Sequence, residues 1–216
     1  MLSLVEENYL KKLLTLSKER EEVAVNELSM ELNIKMPSVN GMMKKLSEKG
    51  LVYFERYKPI RLTDEGRKAA AAVLRKHRLT ETFLFEKMGL GWEEVHPIAE
   101  QIEHIQSPIF FEKMDELLNF PKSDPHGEPI PSNDGKIIDL GYSKLSNVKV
   151  GQTVLFSAVN DASEEFLRFL NKRDLKLGTQ IKIIGVESYD GSLTISYNNR
   201  KEVLSKIVCD KILTSL

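Results

Sequence analysis

Four histidines of this chain lie within 50 residues of one another, and acidic residues accompany them at helical spacing. His77 and Glu81 are four positions apart, while Glu100, Glu103 and His104 are three and four positions apart. Residues at these intervals share one face of an α-helix. Imidazole and carboxylate groups on neighbouring helices can converge on a divalent cation. The pattern therefore predicts one or two metal sites, and the alternative is that these residues are structural or lie on solvated helix faces.

The residues that precede this stretch predict three helices with a tight turn between the second and the third. Apolar residues at i, i+4, i+8 and i+11 mark one face of the first helix: Val5, Tyr9, Leu13 and Leu16. A short second helix has Asn26 as its candidate N-cap and is interrupted at Asn33. The third starts near Met36 and stops at Gly50. This arrangement is typical of a helix-turn-helix.

A β-rich segment over 51–57 and 60–62 follows the third helix and predicts a two-stranded wing. The outward side of the third helix combines small polar residues with lysines, which suits contact with bases and phosphates of DNA. Gly41 within this helix indicates either close approach to DNA or tight packing in the fold. The predicted DNA-binding residues are Lys35, Pro37, Ser38, Asn40, Gly41, Lys44, Lys45 and Lys58. The alternative is an ordinary solvated set of lysines.

The net charge of −1 conceals an uneven distribution of charge. Residues 1–76 hold 15 lysines and arginines against 11 acidic residues, residues 77–140 hold 5 against 13, and residues 141–216 hold 11 against 8. This asymmetry favours an anion-binding head and a cation-binding body. The single cysteine, Cys209, excludes a disulfide framework and a multi-cysteine zinc site, and we expect it to be a buried apolar residue. The N-terminus has no signal-peptide pattern, so we expect a cytoplasmic protein without membrane contact.

Thr63 is the candidate cap of a fourth helix that continues to about residue 88. The apolar residues that follow exceed what two short helices need, which indicates a second subunit as well as an intrachain core; they are Phe83, Leu84, Phe85, Met88, Ile98, Ile102, Ile105, Ile109 and Phe110. Residues 121–135 are rich in proline and glycine and predict an irregular connection. Strands over 153–159, 180–187 and 193–198, a helix over 163–172 and a turn at Asp190-Gly191 predict a small β-barrel.

The helix-turn-helix and wing, followed by RKHRLTE (75–81), VHPIAEQIEH (95–104), PHGEPIP (125–131) and a β-rich tail, resemble the diphtheria toxin repressor family over essentially the full chain. The resemblance implies a mainly α fold with β structure. Its three domains are a winged helix-turn-helix DNA-binding domain (1–74), a helical dimerisation and metal-binding domain (75–140) and an SH3-like domain (141–216). It implies no enzyme, but a metal-activated homodimeric repressor of metal homeostasis genes, bound to an inverted-repeat operator in double-stranded DNA, with no organic substrate.

The same resemblance implies the metal ligands. A primary site would use Glu100, Glu103 and His104 with position 8, and an ancillary site His77, Glu81 and His96; further ligands would be Asp124, His126 and Glu165, with Asp161 as a substitute for Glu165. Glu100 stands where iron-type members have cysteine, so the chain is closer to the manganese type. We expect Mn²⁺ or Fe²⁺, with Zn²⁺ accepted in vitro, at one or two ions per subunit.

Three positions depart from the family pattern. Asn8 replaces a methionine or aspartate, and Lys11 stands where some manganese-type members have a ligating glutamate, which argues against two closely spaced ions. Pro97 directly follows His96 and either kinks or begins a helix there.

Two other functions compete with this interpretation. Residues 100–104 partly match the His-x-x-Glu-His signature of some zinc peptidases, but the first histidine is missing. A winged-helix regulator that senses another ligand, with structural histidines, is the second alternative.

Overall fold

The computed structural model describes residues 2–17 and 20–216. The chain forms two compact units. The N-terminal unit comprises Met1–Arg78, Glu100–Glu112 and Ile130–Ile137, and the C-terminal unit comprises Leu79–Ala99, Lys113–Pro129 and Ile138–Leu216. Within the described residues, no helix has both the length and the apolar character needed to cross a bilayer.

Helices dominate the first half of the chain and strands the second, which confirms the predicted mainly α fold with a β-rich C-terminal part. The helices of the described residues are α1 Leu4–Leu16, α2 Val25–Leu32, α3 Met36–Glu48, α4 Asp64–Glu86, α5 His96–Ile102, α6 Pro108–Leu117, α7 Glu164–Asn171 and α8 Lys206–Lys211. The strands are β1 Val52–Tyr53, β2 Arg61–Leu62, β3 Ser143–Lys144, β4 Thr153–Val159, β5 Gln180–Val186, β6 Leu193–Tyr197, β7 Arg200–Leu204 and β8 Ile212–Ser215. The predicted domain boundaries stay predictions, and α4 runs unbroken across position 74.

The first three helices form the predicted helix-turn-helix. Asn33 adopts the left-handed conformation (φ 53°) that ends α2 and turns the chain toward α3, and Gly50 (φ 73°) follows the end of α3. The prediction that Asn26 caps α2 was wrong, because the N-cap is Ala24, two residues earlier, and it makes no side-chain cap hydrogen bond. A shared core buries the apolar faces of these helices; it includes Leu10, Leu13, Leu28, Val39, Met43, Leu46 and Ile60.

The buried face of α1 differs from the predicted one. Val5 is 48% exposed, whereas Tyr9, Leu10 and Leu13 are buried as expected of a core face. Charged side chains of the same helix are also buried: Glu6, Glu7 and Lys11. Apolar periodicity does not reveal these buried charged side chains. Most of the residues that pair with them are distant in sequence.

The wing is shorter than predicted. Strands β1 and β2 pair antiparallel over two residues each, with Val52 opposite Leu62. Val23 and Ile60 exchange two backbone hydrogen bonds of 2.9 and 2.8 Å and extend the sheet by one bridge. The tip carries Tyr57, which is 90% exposed and has a φ of 69°.

Two helices carry most of the predicted ligands. The Thr63 hydroxyl accepts a 3.0 Å hydrogen bond from the Gly66 amide, which confirms Thr63 as the cap of α4. Helix α5 begins at His96, so Pro97 lies in its first turn, where a proline is tolerated. This helix ends at Ile102. The prediction that the 100–104 group lies on one helix was therefore wrong in part, because Glu103 and His104 lie in the turn that follows.

The C-terminal unit contains a six-stranded antiparallel sheet in the order β3-β8-β4-β5-β6-β7. Strand β4 has the predicted bounds, β5 and β6 end one residue early, and the Asp190-Gly191 turn is present. The prediction missed β3, β7, β8 and α8. The core of this unit includes Trp92, Phe156, Leu167, Ile181, Ile195 and the buried Cys209. Burial raises the pKa of the Cys209 thiol to about 11, so its expected role as an apolar residue is confirmed.

Candidate metal centre and DNA-binding face

Two polar residues of α1, Glu7 and Lys11, contact the 100–106 segment within the N-terminal unit. The Glu7 carboxylate lies 2.6 Å from Nδ1 of His104 and accepts a 3.0 Å hydrogen bond from the Gln106 amide. Lys11 Nζ donates to Glu100 at 2.7 Å and to Glu103 at 2.7 Å. The capping box of Ser3 and Glu6 begins the helix and thereby sets the position of Glu7, Asn8 and Lys11 along it.

Glu103 is fully buried, and its two carboxylate oxygens have different surroundings. Oε2 lies 2.5 Å from Nδ1 of His77 and accepts the hydrogen bond of Lys11. Lys11 Nζ is also 2.7 Å from Oε1, but without hydrogen-bond geometry, and Oε1 accepts no hydrogen bond. Nε2 of His104 lies 3.4 Å from Oε1. Lys11 therefore contacts both oxygens of Glu103, while His77 lies beside Oε2 and His104 beside Oε1.

Among residues 2–17 and 20–216, three buried polar atoms near α1 and the 100–106 segment make no hydrogen bond: Asn8 Oδ1, Glu103 Oε1 and His104 Nε2. Leaving a buried acceptor unsatisfied costs about 1–3 kcal/mol, so such atoms are uncommon without a functional reason. With Nδ1 of His104 donating to Glu7, Nε2 carries a lone pair. Two oxygens and an imidazole nitrogen are ligands that divalent Mn²⁺ and Fe²⁺ accept. Glu103 Oε1 and His104 Nε2, 3.4 Å apart, are therefore of the ligand types that suit a divalent cation, and Glu7, Glu100 and Glu103 supply negative charge that favours one.

A second group of ligand atoms is buried in the C-terminal unit. One ligand atom each from Glu81, Asp124 and His126 lies within 4.8 Å of the others, and all three residues are buried. Nε2 of His126 contacts the Trp92 carbonyl at 2.8 Å, which leaves Nδ1 to face Glu81 at 3.7 Å. Burial alone would lower the pKa of His126, but the carboxylates of Glu81 and Asp124 and the Trp92 carbonyl outweigh burial and raise it to about 9.

A tight turn over 124–128 positions the second group. The Asp124 Oδ1 atom accepts from the amides of His126 at 2.9 Å and of Glu128 at 3.0 Å. Gly127 has a φ of 82°, and a Cβ there would lie 2.1 Å from the Ser157 carbonyl oxygen. Only glycine fits this backbone, so the sequence Asp-Pro-His-Gly is matched to the turn.

The other implied ligands have the following positions. His96 contacts Glu81 at 3.0 Å and is half exposed, whereas His77 contacts Glu103. Glu165 is exposed on α7 and belongs to none of the ligand groups formed by the described residues. Asp161, named as its substitute, is bound to Lys211. The ligand set stays a prediction. Gln106 and Trp92, which contact ligands of the two groups, were missed because neither residue type signals metal binding.

All the residues predicted to bind DNA are exposed. They are Lys35, Pro37, Ser38, Asn40, Gly41, Lys44, Lys45 and Lys58. A Cβ built at Gly41 meets nothing within 4 Å, which removes tight packing in the fold as the reason for this glycine.

Helix α1 is linked to the exposed side of α3 by a buried carboxylate. Glu6 pairs with Lys49 at 2.7 Å and with Lys45 at 3.1 Å. Burial alone would raise the pKa of Glu6, but the hydrogen bonds from Lys49, the Ser3 amide and Lys45 lower it to about 2. The carboxylate is therefore ionised at neutral pH and holds both lysines of α3.

Several apolar side chains predicted to face a second subunit are exposed. They are Phe85, Met88, Ile105, Ile109 and Phe110, each at least 40% exposed, and Leu117 and Phe120 add to them. Leu84 is buried and belongs to the intrachain core instead. Single exposed apolar residues are ordinary, but exposed apolar residues at this density along the sequence favour contact with another chain.

Comparison with known proteins assigns each part of the chain. The family model of the iron-dependent repressor N-terminal DNA-binding domain matches residues 1–60, and that of the iron-dependent repressor metal-binding and dimerisation domain matches residues 63–132. A FeoA domain model matches residues 143–215. A solved manganese-dependent transcriptional repressor in complex with manganese superposes with a TM-score of 0.89 at 29% identity, over 97% of this chain and 98% of that one.

Curated relatives agree with these matches. The iron-dependent repressor IdeR of Mycobacterium leprae is 34% identical over 155 residues, which cover 69% of this chain and 66% of the relative. The diphtheria toxin repressor of Corynebacterium diphtheriae is 28% identical over 178 residues, 76% of either chain. The matched part of this chain thus spans slightly under two thirds of the Mycobacterium leprae protein. With two models of one family matching consecutive parts and a third matching the tail, the chain belongs to the iron-dependent repressor family, to which the diphtheria toxin repressor gives its name.

Proposed function

We propose that this protein is a homodimeric DNA-binding transcriptional repressor whose affinity for its operator is raised by divalent Mn²⁺ or Fe²⁺. The observation that carries the proposal is a pair of buried ligand atoms, Glu103 Oε1 and His104 Nε2, which lie 3.4 Å apart and make no hydrogen bond among the described residues. They belong to a segment that contacts α1 through Glu7 and Lys11. Acting on chromosomal DNA places the protein in the bacterial cytoplasm. Its functional parts are a DNA-binding domain (1–74), a dimerisation and metal domain (75–140) and an SH3-like domain (141–216).

The residues that would hold the ion are Glu7, Asn8, Glu103 and His104, with Glu100 nearby, and a second ion would be held by Glu81, Asp124 and His126. A bound divalent cation supplies positive charge that neutralises buried carboxylates and satisfies bare oxygen and nitrogen lone pairs. The sole cysteine is buried in the C-terminal core, so no thiolate competes for a softer metal.

Helix α1 gives this site a physical route to DNA. Glu7 faces His104, and the adjacent residue Glu6 holds Lys45 and Lys49 of α3. Because a helix is rigid over three turns, fixing Glu7 and Asn8 against the 100–104 segment also fixes the end of α3, the predicted DNA-contacting or recognition helix. Two subunits related by a two-fold axis would present two such helices to an inverted repeat with half-sites about 34–36 Å apart.

The proposal is tested by fluorescence anisotropy on DNA from upstream of the protein's own gene, in chelator and then with Mn²⁺, anaerobic Fe²⁺ or Zn²⁺ at fixed salt. We expect Mn²⁺ or Fe²⁺ to tighten operator binding by roughly 5- to 150-fold, the usual range of allosteric coupling. Operator DNA should tighten metal binding by the same factor.

A matched pair of variants assigns the effect to the site. Glu103→Gln keeps the shape of the buried residue but removes its charge, and should abolish the stimulation by metal. Glu112→Gln changes an exposed glutamate of the same unit and should leave the stimulation intact. Equal operator binding in chelator and in metal for the unsubstituted protein would overturn the proposal. Full stimulation in the Glu103→Gln variant would overturn the site.

A further inference from the structure

Lys11 is an unusual residue to find beside a cation site. Its side chain is 11% exposed, and its amino group lies 2.7 Å from Glu100 Oε1 and 2.7 Å from both oxygens of the fully buried Glu103. Lysine is rarely buried unless its charge is paired. Here two carboxylates pair with one ammonium, and each of them comes from a residue about 90 positions away in the sequence.

The same carboxylates belong to a group of ligand atoms that has the composition of a metal site. One ligand atom from each of His77, Glu100 and Glu103 lies within 4.8 Å of the others. His77 Nδ1 is 2.5 Å from Glu103 Oε2 and 4.0 Å from Glu100 Oε1. Lys11 Nζ contacts two of the three residues, so a divalent ion among them would lie close to an ammonium in a poorly solvated place, where like charges repel strongly.

The net charge around Glu103 limits the number of divalent ions that this region can hold. Three carboxylates, from Glu7, Glu100 and Glu103, are balanced by one ammonium and one divalent ion, while a second divalent ion would leave an excess of positive charge. Glu103 Oε2 is engaged by Lys11 and His77, and Oε1 lies beside His104 without a hydrogen bond. Lys11 Nζ thus contacts both Glu103 oxygens and donates its hydrogen bond to Oε2, whereas Oε1 also lies 3.4 Å from Nε2 of His104, a ligand atom for a metal.

We propose that Lys11 is a built-in cation that replaces a metal ion in the His77, Glu100 and Glu103 group, so that this group binds no divalent ion and the N-terminal unit binds one ion only, on the His104 side of Glu103. The inference rests on the proposed function for that one ion. Lys11 also joins α1 to Glu100 and Glu103 before any metal is bound, so part of the attachment of this helix is independent of metal.

The test counts Mn²⁺ bound per chain by equilibrium dialysis of the full-length protein. Lys11→Gln removes the charge at nearly constant length and should bind one more Mn²⁺ per chain than the unsubstituted protein. Lys11→Arg keeps the charge, and Lys12→Gln changes a neighbouring lysine that pairs with the exposed Glu31 at 3.5 Å. Both controls should leave the count unchanged. In a His77→Ala background, Lys11→Gln should add no ion, because the new ion needs the His77 ligand.

The results separate this inference from the proposed function. If the unsubstituted protein binds Mn²⁺, loses an ion in a His104→Ala variant, and gains none on Lys11→Gln, then the inference is overturned and the proposed function stands. If the unsubstituted N-terminal unit binds no ion but Lys11→Gln gains one, Lys11 does exclude an ion from the His77, Glu100 and Glu103 group, whereas the ion proposed on the His104 side fails.

Electron paramagnetic resonance provides a readout that does not require any variant to fold. Two Mn²⁺ ions that share the Glu103 carboxylate would be spin-coupled. We expect an uncoupled signal from the saturated unsubstituted protein, and a coupled signal there would overturn the inference.

Discussion

Alanine in place of Gly41 should stabilise the protein and weaken its binding to operator DNA. Gly41 lies in the interior of α3, and a Cβ built there meets no atom within 4 Å. An alanine therefore adds no clash, while it restricts the unfolded chain and favours the helix by about 1 kcal/mol relative to glycine. In a domain as small as the proposed DNA-binding domain (1–74), a gain of about 1 kcal/mol in the free energy of unfolding raises the Tm by roughly 4–8 °C.

The loss of DNA affinity has a separate physical origin. Gly41 lies among exposed residues of the recognition helix, so an added methyl group would stand between the backbone and the DNA. Crowding a packed interface by one methyl group costs about 1 kcal/mol or more. A two-fold dimer places one such methyl group in each half-site, so the cost doubles to about 2 kcal/mol, or roughly 30-fold in affinity.

Two measurements on the same variant check this reasoning. Circular dichroism melting should give a higher Tm, and anisotropy with saturating metal should give weaker operator binding. Ser47→Ala on the same helix, outside the predicted DNA-binding set, should leave operator affinity unchanged. A higher Tm with unchanged affinity would show that Gly41 does not approach DNA, and a lower Tm would contradict the open environment of this residue.

Further predictions concern the C-terminal unit. Gly127→Ala should destabilise it by about 3 kcal/mol, since a Cβ would lie 2.1 Å from the Ser157 carbonyl oxygen and φ is +82°. Gly151→Ala has a similar φ of +90° but open space, so urea unfolding should show a loss of about 1 kcal/mol; equal losses for the two variants would contradict the steric argument. Cys209, whose pKa burial raises to about 11, should react with a thiol reagent at pH 8 only after urea unfolds the protein, and rapid labelling in native buffer would show that its burial is wrong.

Local chemistry explains why much of the fold was predictable. Thr63 caps α4 through its own hydroxyl, Gly50 ends α3 with a positive φ, and the alternation of β4 gives that strand its bounds. Each of these signals acts within a few residues, so a single sequence contains it completely. The local signal was weak at the start of α2. The N-cap there is Ala24, which makes no side-chain hydrogen bond, and the sequence alone does not mark an alanine as an N-cap.

The candidate site was only partly predictable because its pairings are long-range. Helical spacing grouped Glu103 and His104 with Glu100, although the helix ends at Ile102 and the turn aims them differently. Spacing also offered no sign that Lys11 would contact Glu103, 92 positions away. Sequence patterns reveal which residues can bind a cation, but the partner of each buried charge follows from tertiary packing.

The burial of Glu6 and Glu7 side by side on α1 argues that this helix is more than part of the DNA-binding core. Each buried carboxylate loses hydration, and a purely structural helix would be more stable with apolar residues at these positions. Glu6 recovers the cost through Lys45 and Lys49 of α3, and Glu7 through His104 and Gln106. Glu6 and Glu7 are adjacent buried carboxylates, and one pairs with α3 while the other pairs with the 104–106 segment. A requirement to connect α3 with that segment explains why both carboxylates are buried. In a metal-dependent repressor, the connection required is the one between the metal ligands and the recognition helix.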